Sequence, residues 1–216
     1  MSLEGREILV VDDEPFSRAI IHTLLREMGV GLIHQARNGA DAAEILVTQG
    51  VIDCVICDFN MPVVNGLQLL KGIRIGFKGL PRATPVVLLT GNADTALVGA
   101  AVALDVNGFV VKPASRQALE ARLLSVFAET FEPKPAATYA AVGLVRSTQT
   151  EATVAAQDAK LVPIAQIAEG AVLVKPFLID GAVALPVGTH LGARMLNRLR
   201  DLATMKGADR EAWVRA

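Results

Sequence analysis

The feature that most constrains the fold is the regular alternation of short aliphatic runs with segments of helical periodicity along the first 130 residues. Strands that alternate with helices form parallel sheets, because a parallel pair needs a long crossover connection, usually a helix. The predicted strands are residues 7–11, 32–36, 51–57, 85–89 and 108–111. The predicted helices are residues 15–28, 40–47, 66–75 and 95–104, and a last helix after Pro113 with Ser115 as its N-cap. The sequence therefore predicts an α/β domain with a doubly wound, five-stranded parallel sheet.

Polar residues stand at the ends of four of these strands. Asp12 and Asp13 follow the first strand, Asp58 the third, Thr90 the fourth and Lys112 the fifth. The carboxyl ends of parallel strands meet at one edge, where ligands bind in such sheets. Three carboxylates at one place resist ionisation unless a divalent cation and the Lys112 ammonium neutralise them. Oxygen ligands suit Mg²⁺, so the sequence predicts a magnesium site that leaves room for phosphate oxygens.

Each of these residues also has a purely structural interpretation. Asp12 and Asp13 could cap the helix that follows them, Thr90 could be an ordinary strand end, and Lys112 could be a surface charge. These interpretations explain each residue alone. They do not explain why all of them fall at one edge of the sheet.

The composition argues against several classes of protein. The net charge is -1, so the chain as a whole does not attract nucleic acid or an anionic membrane. The longest apolar stretches are shorter than the roughly 20 residues that cross a bilayer. Charged residues interrupt the start of the chain, where a signal peptide would lie. We expect a cytoplasmic protein that does not bind membranes.

Cys54 and Cys57 have the C-x-x-C spacing that also occurs in redox and zinc sites. In a strand, residues three apart point to opposite faces, and the sequence offers no second pair of ligands for zinc. Two reduced core cysteines are the favoured interpretation.

The motifs at the strand ends, taken together and in order, resemble the receiver domain of two-component response regulators. They are Asp12-Asp13, the D-x-x-M-P-x-x-x-G run from Asp58 to Gly66, Thr90-Gly91 and Lys112-Pro113. Each motif alone is weak, but their joint order is specific. The resemblance covers about residues 4–131 and implies a flavodoxin-like fold.

The resemblance also implies roles for the acidic residues. Asp58 would accept a phosphoryl group from a sensor histidine kinase or a phosphotransfer protein. Asp13 and Asp58 would bind Mg²⁺ directly, together with the backbone carbonyl of Asn60. Asp12 would act mainly through a metal-bound water. The chain would be no enzyme beyond catalysing the phosphorylation and dephosphorylation of its own Asp58.

Three further residues are implied to respond to phosphorylation. Lys112 would pair with the phosphoryl oxygens, and the peptide bond between it and Pro113 would be cis. Thr90 would move its hydroxyl toward the phosphoryl group. Phe109 would turn inward as Thr90 moves, although an aromatic residue in a central strand is ordinarily part of the core.

The composition changes after the predicted receiver domain, residues 1–131. Residues 132–160 contain two prolines and little periodicity, so they are predicted to be a linker, with a helical piece at 149–159. Residues 161–216 are predicted to form a small β-hairpin and helix unit. The hairpin would pair residues 172–178 with 182–187 around Asp180-Gly181, and the helix would begin at Gly188-Thr189.

The tail resembles a small module found beside receiver domains and in HD-GYP cyclic-dinucleotide phosphodiesterases. The signatures of that enzyme are missing, since the chain has no His-Asp pair and no Gly-Tyr-Pro. Lys175-Pro176 repeats the Lys112-Pro113 motif, but no acidic pair precedes it in the tail. The tail is therefore not a second receiver domain.

Two kinds of output are consistent with the tail, and the sequence leaves open a third, the sensing of a small ligand. One is a protein-interaction module under the control of phosphorylation. The other is a transcription regulator whose tail contacts DNA. The tail has seven basic and five acidic residues, and no second helix stands in helix-turn-helix relation to the predicted one. Arg194 and Arg198 are expected to lie on its solvated side. The protein-interaction module is favoured, and nucleic acid binding is not expected.

The predicted fourth helix is rich in small apolar residues, which let a partner approach closely. Members of the resembled family often dimerise through the face built by the fourth helix, fifth strand and fifth helix. We therefore expect phosphorylation to change association, including homodimer formation, through that face. Packing into the core is the alternative role for this apolar strip.

Overall fold

The first 130 residues form a five-stranded parallel sheet in the order β2-β1-β3-β4-β5. The computed structural model describes residues 2–91, 95–143, 159–179, 182–185, 187–204 and 208–215. The strands are β1 (Glu7–Val11), β2 (Leu32–Ala36), β3 (Cys54–Asp58), β4 (Val86–Thr90) and β5 (Gly108–Val111). The helices are α1 (Pro15–Glu27), α2 (Gly39–Thr48), α3 (Gly66–Ile75), α4 (Thr95–Ala103) and α5 (Arg116–Ala128). The predicted fold class is confirmed.

The central strands are buried on both faces, which explains their continuous aliphatic sequences. Ile8 and Val10 of β1 lie in an apolar cluster with residues of α1 and α5. Leu9 and Val11 point the other way, into a larger cluster with residues of α2, α3 and α4. The helices therefore cover both faces of the sheet, as the alternating pattern predicts.

The two cysteines are free, buried thiols, as expected for core residues. Cys54 belongs to the cluster on one face of the sheet and Cys57 to the cluster on the other. Burial raises the pKa of Cys54 to about 12. A thiol that stays protonated is a poor nucleophile and a poor metal ligand.

Residues 160–215 form a second unit, which we call the C-terminal module. Four strands make an antiparallel sheet in the order β10-β7-β11-β6, and two more make a hairpin. The sheet strands are β6 (Lys160–Pro163), β7 (Ala171–Leu173), β10 (His190–Leu191) and β11 (Glu211–Arg215). The hairpin strands are β8 (Phe177–Ile179) and β9 (Ala182–Leu185), and the module's helix is α7 (Ala193–Leu202).

The predicted hairpin is only partly right. The apolar run 172–178 is divided near Lys175-Pro176, since proline has no N–H to continue a ladder. Its first part, β7, joins the four-stranded sheet, and its second part, β8, pairs with β9 as predicted. The turn at Asp180-Gly181 lies outside the described residues.

The predicted start of the last helix is wrong by several residues. Leu191 fits the helical spacing, but it lies in β10 and pairs with Ala171. Helix α7 begins at Ala193, whose backbone N–H donates to the Glu169 carboxylate at 3.1 Å. A carboxylate at a helix N-terminus satisfies a donor that has no partner within the helix.

The segment predicted to be a linker packs on the receiver domain in its first part. Helix α6 (Ala136–Ala140) lies against α3, and Tyr139 is fully buried. The Tyr139 hydroxyl donates to Asp105 at 2.9 Å and accepts from the backbone N–H of Lys134 at 2.8 Å. Residues 132–143 are thus part of the folded structure. The predicted helix at 149–159 lies, except for its last residue, outside the described residues.

The C-terminal module packs against the face built by α4, β5 and α5, which we call the α4–β5–α5 face. Helix α7 lies on β5, and β9 runs along α4. Leu196 and Leu199 of α7 belong to the same buried cluster as Phe109 of β5 and Val102 of α4. The face expected to carry a homodimer is therefore occupied by the chain's own module, and Val98, Ala101 and Val102 of α4 are core residues.

Asp105, in the turn that follows α4, joins three parts of the chain. Its carboxylate lies 2.9 Å from Lys134 Nζ and 3.4 Å from Arg198 Nη1, and it accepts the Tyr139 hydroxyl. Burial raises the pKa of Asp105, but hydrogen bonds from Lys134 and Tyr139 and the positive charges of Lys134 and Arg198 outweigh burial and lower it. Arg198 is only 2% exposed, so its predicted position on a solvated helix side is wrong.

We predict that Asp105→Asn destabilises the protein by about 3 kcal/mol, because it leaves the buried Arg198 cation without its counter-charge. Urea unfolding measures the change. The matched control is Asp41→Asn, which breaks an exposed pair with Arg37 and is expected to cost less than about 1 kcal/mol. Equal effects of the two substitutions would show that Asp105 does not hold these segments together.

Candidate functional site

Three carboxylates meet at the carboxyl ends of β1 and β3. Ligand atoms of Asp12, Asp13 and Asp58 all lie within 4.8 Å of one another. Asp12 is fully buried, Asp58 is 7% exposed, and Asp13 is exposed. The parallel register of Val11 beside Cys57 brings the residues after β1 next to the end of β3. The structure therefore brings together the acids that the sequence placed at one edge.

Lys112 enters this cluster from the end of β5. Its Nζ lies 2.6 Å from Asp58 Oδ1 and 3.0 Å from Asp12 Oδ2. The Lys112-Pro113 peptide bond is cis, in agreement with the resemblance. Lys112 is thus an ion-pair partner of two buried acids, and its interpretation as an ordinary surface charge is wrong.

Burial and charge act in opposite directions on these groups. Burial raises the pKa of Asp58, Lys112 lowers it through a hydrogen bond and its charge, and Asp12 raises it again; the net shift is upward. Burial lowers the pKa of Lys112, but its contacts with Asp58 and Asp12 outweigh burial and raise it. Three carboxylates around one ammonium leave a surplus of negative charge when ionised, which fits a divalent cation.

Asp12 differs from Asp13 and Asp58 in its hydrogen bonds. Its Oδ1 accepts from the backbone N–H of Glu14 at 2.9 Å, and its Oδ2 accepts from the Ser17 hydroxyl at 2.8 Å and from Lys112. Both oxygens of Asp12 are therefore held by the protein itself. Direct metal binding by Asp13 and Asp58 and an indirect role for Asp12 remain predictions.

Sequence reasoning missed Ser17 as part of the site. Its hydroxyl fixes the Asp12 carboxylate from the first turn of α1. The sequence did offer a signal for Ser17, since its hydroxyl lies in the first turn of the helix that follows the acidic pair. The cap of α1 is Glu14, whose carboxylate accepts from Phe16 and Ser17 N–H, so capping by Asp12 or Asp13 is not their role.

Gly66 closes the loop that follows Asp58. Its N–H donates to the Phe59 carbonyl at 3.1 Å, and a Cβ at this position would lie 2.2 Å from the Asp58 carbonyl oxygen. No side chain fits that approach, which explains the glycine at the end of the motif. Asn60 lies in the same loop, two residues after Asp58.

The two remaining predicted residues lie on the neighbouring strands. Thr90 is the fully buried last residue of β4, and its hydroxyl donates to the Gly91 carbonyl at 3.2 Å. Phe109 is 4% exposed and packs in the apolar cluster that includes α7. Phe109 therefore lies inward, between the receiver sheet and the C-terminal module.

Comparison with known proteins agrees with this geometry. The family model for the response regulator receiver domain matches residues 8–124 of this chain. The chain therefore belongs to the response regulator receiver domain family. Among the described residues, no helix is long and apolar enough to span a membrane.

Among similar sequences are chemotaxis proteins. The chain is 35% identical over 124 residues to chemotaxis protein CheY-3 of Vibrio cholerae, a match that covers 57% of this chain and 93% of that protein. It is 33% identical over 120 residues to a CheY homolog of Campylobacter jejuni, covering 56% of this chain and 91% of that protein. Both matches leave more than two-fifths of this chain unmatched.

Similar structures include isolated receiver domains. One is the receiver domain of a sensor histidine kinase from Pseudomonas aeruginosa with a magnesium ion coordinated in its active-site cleft. It is 26% identical with a TM-score of 0.52, and the match covers 58% of this chain and 99% of that one. Another is the signal receiver domain of an HD domain-containing protein from Pseudomonas fluorescens, 26% identical, with a TM-score of 0.52, covering 58% and 88% of the two chains.

We predict different effects on Mg²⁺ affinity from two substitutions in the cluster. Asp13→Ala removes a hard oxygen ligand and should weaken binding at least about tenfold, since even indirect partners of a metal carry that much. Lys112→Ala removes a competing cation and should leave binding intact or tighter. Titration calorimetry measures both, with Asp41→Ala as a control for a distant acid. Identical behaviour of the Asp13 and Lys112 variants would contradict the roles assigned here.

Proposed function

We propose that the protein is a response regulator that accepts a phosphoryl group on Asp58 and thereby controls its C-terminal module. The observation that carries this proposal is the Asp58 carboxylate, 2.6 Å from Lys112 and clustered with Asp12 and Asp13. We place the protein in the cytoplasm, where a histidine kinase or phosphotransfer protein would supply the phosphoryl group. Its membership of the receiver family supports the same function.

In the proposed reaction, one Asp58 oxygen attacks the phosphorus of a phosphohistidine. The new O–P bond forms as the P–N bond breaks, and the histidine of the donor leaves with the electron pair. Phosphoryl transfer needs in-line positioning and charge neutralisation more than covalent help from the protein. Lys112 already lies at the attacking carboxylate, so its ammonium can follow the phosphoryl oxygens as they arrive.

The residues fit a bound Mg²⁺. Asp13, Asp58 and the backbone carbonyl of Asn60 would hold the ion directly, and Asp12 would hold one of its waters. When bound, the ion offsets negative charge on the transferring oxygens. Asp12, fixed by Ser17 and Glu14, would keep that water in place. Self-catalysed phosphorylation and dephosphorylation of Asp58 would then be the chain's only chemistry.

The phosphoryl donor would dock beside α1. Phe16 is 71% exposed and Ile20 is 40% exposed, and both lie on the helix that starts directly after the acidic pair. Exposed aromatic and aliphatic residues next to a reactive site are suited to hold a partner protein in register.

A protein-interaction output is favoured over a DNA-binding one. Arg194 pairs with Glu129, and Arg198 pairs with Asp105, so two basic residues of α7 are already engaged by receiver acids. The buried Arg198 could not reach a phosphate backbone without separation of α7 from β5. Retention on heparin or duplex DNA that falls steeply with salt would favour the DNA-binding alternative.

We predict that Asp58 is the phosphorylated residue. With acetyl phosphate and Mg²⁺, the intact protein should gain one phosphoryl mass, and Asp58→Asn should abolish the gain in mass spectrometry. Asp53→Asn, a change directly before β3 and five residues before Asp58, is the control that should label normally. Full labelling of Asp58→Asn would refute the assignment, whereas a small residual signal from Asp13 would not.

We also predict that Phe16→Ala slows phosphoryl transfer from a phosphorylated donor protein at least about fivefold, the roughly 1 kcal/mol of a contributing interface residue. Labelling by acetyl phosphate should not change, since a small molecule needs no docking surface. Phe77→Ala, at a 55% exposed aromatic elsewhere, is the matched control. If both phenylalanine variants accept phosphoryl groups at the wild-type rate, α1 is not the docking helix.

A further inference from the structure

The C-terminal module contains a cleft at one end of its four-stranded sheet. There the end of β11 lies between the beginnings of β6 and β7, since Val214 is opposite both Lys160 and Leu173. The cleft has a volume of about 1020 Å³. Small-molecule sites span roughly 300–1,000 Å³, so this cleft is large enough for a small organic ligand.

The floor of the cleft is apolar. Ile167, Ala171 and Val214 line it, and each is at most 6% exposed. Val162 of β6 lies beside them and is half-buried. The floor therefore offers van der Waals contact to the hydrocarbon part of a ligand.

The fully charged residues that line the cleft are both basic. Lys160 and Arg215 are exposed, and neither has an ion-pair partner within the described part of the chain. Glu169 is close to them in the fold, but its carboxylate accepts from the backbone N–H of Ala193 at 3.1 Å and so caps α7. The positive charge of the cleft is thus not offset by the described residues around it.

The two cations reach the cleft from opposite faces of the sheet. Lys160 is opposite Val214, whose side chain points into the core. Arg215 points to the other face, because successive side chains of a strand alternate. On that face it forms a cross-strand row with Val172 and His190, which also line the cleft. Basic groups therefore flank the apolar floor on both sides.

A second cleft of the module provides a contrast. It has a volume of about 520 Å³ and is lined by Arg210 together with Asp209 and Glu211. Its charged lining is therefore mixed, with one base and two acids. The excess of unpaired positive charge distinguishes the cleft at Lys160 and Arg215 from this one.

We propose that the cleft at the end of β11 binds a small organic acid, with its hydrocarbon part on the apolar floor and its acidic oxygens between Lys160 and Arg215. A guanidinium group can donate two parallel hydrogen bonds to a carboxylate, and an ammonium adds a compact positive charge. An inorganic anion would leave the apolar floor unused. The module is then a ligand sensor, and this role does not depend on phosphorylation of Asp58.

The first test uses wild-type protein with octanoate as the probe. Calorimetry should show saturable binding, and the fluorescence of Trp213, the only tryptophan of the chain, should change because it directly precedes Val214. Octanol lacks the carboxylate and acetate lacks the hydrocarbon, so each should bind at least about tenfold more weakly. Absence of octanoate binding, or equal binding of octanol, overturns the proposal.

The second test reverses the charges at the cleft. Lys160→Glu and Arg215→Glu should each weaken octanoate binding at least about tenfold, because a hydrogen-bonded charge is replaced by a repelling one. Both side chains are exposed, so the fold should be retained. Arg210→Glu, an exposed base in the other cleft, is the matched control and should bind octanoate as wild type does. Equal weakening by all three substitutions would show a general effect of charge and would overturn the site.

A third measurement distinguishes a free ligand from a lipid surface. Sedimentation with vesicles of phosphatidylglycerol replaces octanoate by anionic headgroups. Little sedimentation together with octanoate binding supports a small-molecule site. Sedimentation that needs Lys160 and Arg215, without binding of free octanoate, overturns it. None of these measurements uses a phosphoryl donor, so their failure leaves the proposed function standing, and absence of labelling on Asp58 leaves this site standing.

Discussion

Burial of the α7 leucines against β5 is the contact on which the rest of the structure depends. β5 is the outer strand of the parallel sheet, and it also delivers Lys112 to the acidic cluster. An outer strand is a place where other chains can add, and here α7 covers it. The apolar face of α7 packs on β5, so the small module shares with the receiver domain a core that its own length would not supply.

The receiver half was predictable because its signals are local. Strand and helix periods come from residues close in sequence, and a parallel sheet fixes which strand ends meet. This is why Asp12, Asp58 and Lys112 could be placed together although 100 residues separate the first from the last. The observed strand ends differ from the predicted ones by one to three residues, as at Cys54, because backbone pairing rather than apolar sequence decides where a strand begins and ends.

The C-terminal half was predicted poorly because its elements depend on distant contacts. Leu191 continues the helical spacing of α7, yet pairing with β7 places it in a strand. Strand β11 was not predicted, because its pairing with β6 and β7 defines it. Arg198 looks like a solvated helix residue until Asp105 is seen opposite it. No residue pattern near Tyr139 in the sequence predicts that its side chain is buried.

The position of β11 in its sheet has a consequence for synthesis of the chain. β11 lies between β7 and β6, although it follows both by more than 35 residues in sequence. Among the described residues, β6 has β11 as its only strand partner. As the chain leaves the ribosome, the receiver sheet can close while β6 is still unpaired and α7 has no completed module behind it. The apolar surface of β5 is therefore exposed on the nascent chain during that interval, and chaperone contacts are to be expected there before the last strand emerges.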